Sequence, residues 1–177
     1  LCNWAAEVMK KVGMNPRVVP LGVDTKAYKP IIGHIDINGE IITQEALKKG
    51  IGLKGDEFLV GMVAANIDHR KNLELQLRVF AEFWRRHPDV RIFLKTNPSP
   101  LAGGWDMVKL TQKLFGLSAE DPASPVFMTM HEHTDATTEQ MCRGYNSFDV
   151  YLGAAYAEGA GLPLMEATAC FPAGTQV

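Results

Sequence analysis

The chain has 177 residues, 46% hydrophobic and 21% charged, the composition of one ordinary soluble domain with a substantial core. A formal net charge of −2 gives none of the strongly basic surface that nucleic-acid binding needs, and the longest apolar run, residues 58–65, is too short to cross a bilayer. Three widely spaced cysteines (Cys2, Cys142 and Cys170) form no CxxC pair, which points to a reducing compartment and away from a disulfide framework or a zinc site.

In chain order, residues 1–12 read as a helix with Trp4 and Val8 on one face and Gly13 as its cap. Residues 17–20 read as a short strand and 21–24 as a loop, while 30–42 read as an irregular segment or hairpin. A short helix follows over 43–49 and a buried strand over 58–64. The clearest helix covers 72–87, where Leu73, Leu77, Phe80 and Trp84 recur at helical spacing and Pro88 closes the run. Next come a strand over 90–95, a helix over 105–115 ended by Gly116, and a strand over 126–130. Thr137 and Gln140 have the spacing of a capping box at the start of another helix. A strand over 149–152 and a helix over 162–169 complete the pattern. Trp105, Phe115, Phe80 and Trp84 are expected in the core, and Arg85-Arg86-His87 at a solvated helix end whose dipole favours positive charge. Repeated strand–helix alternation predicts a parallel sheet with helices on both faces, a doubly wound α/β domain. The chain opens on Leu1 within a helical pattern, with no initiator Met or signal peptide, so it reads as an excerpt of a longer protein.

Ligands of such a sheet bind beyond the carboxyl ends of the strands, which directs attention to loops 66–71, 96–104, 131–136 and 153–161. The richest segment is Tyr156-Ala157-Glu158-Gly159-Ala160-Gly161-Leu162-Pro163-Leu164-Met165-Glu166-Ala167. Its glycines allow close backbone approach, and Pro163 suits a first helical turn. A helix start in such a loop presents N–H groups and a positive dipole end, suited to a pyrophosphate. Glu158 and Glu166 bracket that site with carboxylates able to accept from sugar diols.

The segment resembles the Glu-x7-Glu motif of retaining GT-B glycosyltransferases of the group 1 type. Tyr145-Asn146-Ser147-Phe148-Asp149-Val150-Tyr151-Leu152 is similar to the family's approach to the preceding strand. Val19-Pro20-Leu21-Gly22-Val23-Asp24 and Tyr28-Lys29-Pro30 resemble its I-P-N-G-V-D and F-x-P segments, and Ala65-Asn66-Ile67-Asp68-His69-Arg70-Lys71-Asn72-Leu73 its phosphate loop. The resemblance implies a Rossmann-like fold, the C-terminal, donor-binding half of a GT-B enzyme truncated at its end, over residues 1–169. It implies transfer of a sugar from a UDP-, GDP- or ADP-sugar to a sugar, lipid or protein acceptor, with retention of configuration and without metal or other cofactor. The acceptor would be held by an N-terminal domain outside this chain, which alone should be inactive. A cytoplasmic protein, free or peripheral to a membrane, is expected. A non-catalytic nucleotide-sugar-binding module is the alternative.

The roles implied residue by residue are these. Glu158 and Lys71 would be catalytic, with Glu158 near the transferred sugar and Lys71, assisted by Arg70, stabilising the diphosphate as leaving group. Gly159, Ala160, Gly161, Leu162 and Pro163 would present backbone to sugar and diphosphate, and Glu166 would hold the ribose hydroxyls. Asn66 stands where the family usually has an arginine and is expected to face the donor. Ala160 replaces the usual Phe, and Ala154-Ala155 the usual Pro-Ser. His131-Glu132-His133 shows no third metal ligand in sequence, and His131 is expected beside the nucleotide base. Finally, Cys170-Phe171-Pro172-Ala173-Gly174-Thr175-Gln176-Val177 resembles the first splicing block of inteins, which would make Cys170 the splice nucleophile and residues 170–177 the start of an intein.

Overall fold

The structure, a computed structural model, describes residues 3–67, 69–99, 103–118, 121–128 and 136–171. The elements among them run α1 (Asn3–Lys11), α2 (Gln44–Gly50), β1 (Phe58–Val63), α3 (Leu73–Arg86), β2 (Val90–Lys95), α4 (Met107–Phe115), β3 (Val126–Met128), α5 (Thr138–Ser147), β4 (Val150–Tyr151) and α6 (Leu162–Cys170). The strands form one sheet in the order β3-β2-β1-β4, and every neighbouring pair is parallel. One ladder row runs Val126, Ile92, Val60, Val150.

Alternation along the strands gives the sheet two apolar faces. Val60, Met62, Ile92, Leu94, Val126 and Met128 point to one side and pack under α3 and α4, through Leu73, Leu77, Phe80, Met107, Leu110 and Phe115. Leu59, Phe93 and Tyr151 point to the other, under α5 and α6, against Cys142, Tyr145, Phe148, Ala167 and Cys170. Helices therefore cover both faces, as the strand–helix alternation predicts. Gly61 belongs to this second face for a steric reason: a Cβ there would lie 2.0 Å from the Phe148 ring, so glycine lets that ring sit flat on β1.

Local signals fix the helix ends. Thr43 accepts from the Ala46 N–H at 3.1 Å to cap α2, and Asp106 accepts from Lys109 N–H at 3.0 Å to cap α4, which is why α4 starts after Trp105. The Thr137–Gln140 capping box forms with both bonds, at 2.8 and 3.2 Å. Asp149 of the β4 approach accepts from the Leu59 N–H and from buried Lys48, each at 2.6 Å, and Lys48 also donates to the Glu57 carbonyl at 2.7 Å. These three bonds tie α2 to the amino ends of β1 and β4, with the buried ammonium paired and hydrogen-bonded as burial requires.

One expectation changes, and one open reading is resolved. Residues 17–20 form no strand: they pair with none of the four strands, Val19 is exposed, and an extended segment without a partner makes no ladder hydrogen bonds. Residues 30–42 are a tight turn with a single antiparallel bridge, Ile35 to Ile41, in which the Asp36 carboxylate accepts from the N–H groups of Asn38 and Glu40 at 2.8 and 2.9 Å. Asn146 on α5 pins the chain ahead of that turn, accepting from Ile31 N–H and donating to the Lys29 carbonyl, each at 3.0 Å.

Candidate functional site

The chain leaves β1 toward β2 on one side and returns to β4 on the other, so the strand order reverses at β1 and β4. Loops departing in opposite directions there open a crevice at the carboxyl ends of the strands. Lys71, ahead of α3, and Glu158, ahead of α6, meet across it: the Lys71 ammonium donates to Glu158 Oε1 over 87 residues of sequence. Arg70 flanks the pair, with Nη1 3.8 Å from Glu158 Oε2 and 3.1 Å from the Ala157 carbonyl, to which it donates. The Lys71 side chain is 12% exposed and that of Glu158 39%, so the ammonium lies deep and the carboxylate at the rim.

Backbone clamps hold the two loops together. The Tyr156 N–H donates to the Arg70 carbonyl at 2.9 Å. Asn72 opens α3 in the left-handed conformation (φ 55°) and turns its amide away from the helix, to the Ala154 carbonyl at 3.1 Å. Buried Gln76 donates to the Lys71 carbonyl at 2.8 Å and accepts from the Ala154 N–H at 2.9 Å. Neither Asn72 nor Gln76 is a predicted site residue. Gln76 had a visible signal, a polar side chain at a position sharing the apolar stripe of Leu73, Leu77 and Phe80.

At α6, Gly161 is the N-cap with φ 65° and ψ 44°, a conformation that favours glycine, and its carbonyl accepts from Leu164 and Met165 N–H at 2.9 and 3.1 Å. Leu162 and Pro163 form the first turn, and the small cavity of about 50 Å³ between the loops is lined by Lys71, Glu158, Gly161 and Pro163. Gly159 is exposed with open space where a Cβ would stand, and Ala160 lies beside it half-buried, so nothing within the protein demands a residue this small at 159. Glu166, one turn into α6, accepts from the Tyr145 hydroxyl at 2.7 Å. Burial first, then the hydrogen bond to Glu166 and its charge, push the Tyr145 pKa well above the tyrosine range, so the phenol stays a donor. Tyr28 meets Tyr145 edge-on at 6.0 Å, and burial followed by the Glu166 charge raises its pKa too. Two phenols thus stand against the Glu166 carboxylate.

Asn66 does not join this group. Its side chain is buried, donating to the carbonyls of Trp105, Asn97 and Ser99 at 2.6, 2.9 and 3.3 Å and accepting from Trp105 N–H at 2.8 Å. It clamps the loop after β1 to the loop after β2 with its hydrogen-bonding capacity filled. Cys170 ends α6 in the core, its Sγ 3.9 Å from that of Cys142, and burial, then Cys142, push its thiol pKa up. Within this fold it is a shielded, protonated thiol. The remainder of the intein-like block, residues 172–177, and His131 lie outside the described residues. Among the described residues, no three His, Cys, Asp or Glu side chains cluster as a metal site, and no helix is long and apolar enough to cross a membrane.

No family model matches the chain, and no curated protein matches its sequence. Its backbone does have solved counterparts. The C-terminal domain of a glycosyl transferase group 1 family protein (LpcC) from Francisella tularensis superposes with a TM-score of 0.55 at 18% identity, over 84% of this chain and 67% of that chain. This chain has the fold of that domain. The four-stranded parallel sheet covered by helices on both faces is therefore a Rossmann-like α/β domain of the kind found in the C-terminal half of a GT-B protein.

Proposed function

We propose that this chain is the donor-binding domain of a retaining glycosyltransferase that uses a nucleotide-diphosphate sugar. The observation that carries the reading is the meeting of Lys71, Arg70 and Glu158 at the switch point of the sheet, beside the amino end of α6. A diphosphate laid across this crevice meets two cations and a positive helix end, the combination that favours phosphate. Glu166, steadied by Tyr145, is the acceptor for the two ribose hydroxyls, one turn further along the same helix.

In the proposed reaction the bond from the anomeric carbon to the diphosphate oxygen breaks, and a bond to an acceptor hydroxyl oxygen forms on the same face. The acceptor proton passes to the departing phosphate oxygen. Lys71 and Arg70 stabilise the negative charge growing on that diphosphate, so the step asks nothing of a metal. Glu158, held by Lys71, faces the transferred sugar and accepts from its hydroxyls. Gly159 and Ala160 leave the sugar room against the backbone. The acceptor is held by a surface facing this crevice, so this chain alone binds donor without transferring sugar at an appreciable rate.

The second reading, a binding module without turnover, draws support from Asn66. Where the resembling family has a cation, this chain has a neutral side chain engaged in packing. A thermal-shift series with UDP-, GDP- and ADP-sugars tests donor binding, because a ligand of the folded state raises its melting temperature by mass action. Release of nucleoside diphosphate in the presence of acceptor and acceptor domain then separates the two readings. Stabilisation by none of the nucleotides contradicts both.

A further inference from the structure

Beside the crevice, on the outer side of α3, lies a groove of about 340 Å³ lined by His69, Asn72, Glu74, Leu75, Arg78, Trp105 and Tyr156. That is a volume typical of small-ligand sites. Three of its walls are aromatic. The His69 and Trp105 rings stand 4.8 Å apart between centroids at 58° to each other, and Tyr156 is 73% exposed. Leu75, 47% exposed, adds an apolar floor from the first turn of α3. The exposed tyrosine and leucine thus stand beside a partly buried tryptophan whose other side packs against the core under α3 and α4.

The polar side of the groove is a matched pair. Arg78 donates through Nε and Nη2 to Glu74 Oε1, at 3.0 and 2.6 Å. One carboxylate and one guanidinium give the pair no net charge, so the pair itself does not favour an anion over a neutral ligand. Glu74 Oε2 and the outer N–H groups of Arg78 can instead exchange hydrogen bonds with hydroxyls. Aromatic faces on one side and a carboxylate–guanidinium pair on the other suit a ligand with an apolar C–H face and a rim of hydroxyls. A pyranose ring has that form.

We infer that the groove formed by His69, Trp105, Tyr156, Glu74 and Arg78 is a saccharide subsite adjoining the donor crevice. His69 precedes Lys71 by two residues and Tyr156 precedes Glu158 by two, and the Tyr156 N–H bond to the Arg70 carbonyl ties the two walls directly to the catalytic loops. A sugar unit seated here would be a part of the acceptor glycan away from its reacting hydroxyl, which the facing surface holds at the crevice. The inference rests on the donor-site reading only for that role; the ligand class follows from the groove itself.

The test is saturation-transfer NMR on the 177-residue chain with the methyl α- and β-glycosides of glucose, galactose and mannose and with trisaccharides of each, alongside uridine, guanosine and adenosine. At least one saccharide is expected to give a signal that falls at least fivefold in Tyr156→Ala and in Glu74→Gln, two surface substitutions that leave the core untouched. Affinity for nucleoside diphosphate should stay within twofold in both variants. No saccharide signal from the native chain, a signal unchanged in both variants, or nucleosides displacing the saccharide from the groove would overturn the inference. Saccharide binding without any nucleoside diphosphate binding would support the subsite and refute the donor site, so the two failures are separable.

Discussion

The Tyr145 hydroxyl and Glu166 Oε2 lie 2.7 Å apart, joining the core side of α5 to α6. Tyr145 is completely buried, so its phenol has one direction in which to donate and Glu166 is held there in turn. Replacing Tyr145 by Phe removes this bond with little change of shape. Loss of a bond to a charged group, discounted for the partial exposure of Glu166, should lower stability by about 1 kcal/mol. Nucleoside diphosphate affinity should fall severalfold, because Glu166 then samples other rotamers before it meets the ribose. Chemical denaturation and calorimetry on the variant check both, and unchanged affinity would mean Tyr145 does not position the carboxylate.

The same tyrosines set an alkaline limit. Burial, followed by the charges of Glu158 and Glu166, lifts the Tyr151 pKa from the ordinary 10.0 to about 12, and Tyr145 is pushed higher still. A pKa raised on folding gives stability that is fully present below the unfolded value and is lost as pH climbs through the folded one. Tyr151 alone contributes about 2–3 kcal/mol that disappears between about pH 10 and 12. Melting temperature followed across that window should fall steeply in the native chain. Tyr151→Phe should flatten the fall, and a parallel decline in both would assign the effect elsewhere.

Asn66 is a structural clamp. Asn66→Ala leaves the Trp105 N–H and the Trp105 and Asn97 carbonyls without their partner, and should destabilise the chain by roughly 2–4 kcal/mol. Gly104 depends on the same clamp, since a Cβ there would lie 2.4 Å from the Asn66 carbonyl oxygen. Under conditions where the variant remains folded, its nucleotide affinity should match the native chain. Urea titration and calorimetry decide the point. A large loss of affinity with normal stability would return Asn66 to the binding site.

How much of this is visible in sequence depends on how local the determining interaction is. The strands β1 and β2 and the helix α3 are legible because their apolar periodicity is long and unbroken, and the α5 start because Thr137 and Gln140 carry the cap within four residues. The resemblance assigns Lys71 and Glu158 to one site, but their direct ion pair emerges only from the fold, where the strands before their two loops lie side by side. Residues 17–20 mislead because two valines look like a strand whatever lies beside them, and strand formation needs a neighbour. Asn66 misleads for a related reason: its partners are carbonyls and an N–H of a loop some thirty to forty residues away, and no pattern in sequence announces a backbone acceptor. Gln76, Tyr145 and Asn146 act through the same kind of distant bond, so their roles emerge only from the folded chain.

In the proposed site Lys71 and Glu166 hold the diphosphate and the ribose of one nucleotide, while Glu158, held by Lys71, faces the transferred sugar. Isothermal titration of the chain with UDP, GDP and ADP, repeated on Lys71→Ala, Glu166→Ala and Glu158→Gln, checks these roles. One nucleotide is expected to bind the native chain, and Lys71→Ala and Glu166→Ala each to weaken it by about 1–3 kcal/mol, roughly five- to 150-fold. Glu158→Gln should bind it as tightly or more tightly, because the substitution releases the ammonium. Binding of none of the three, or equal affinity in Lys71→Ala, Glu166→Ala and the native chain, would contradict these roles.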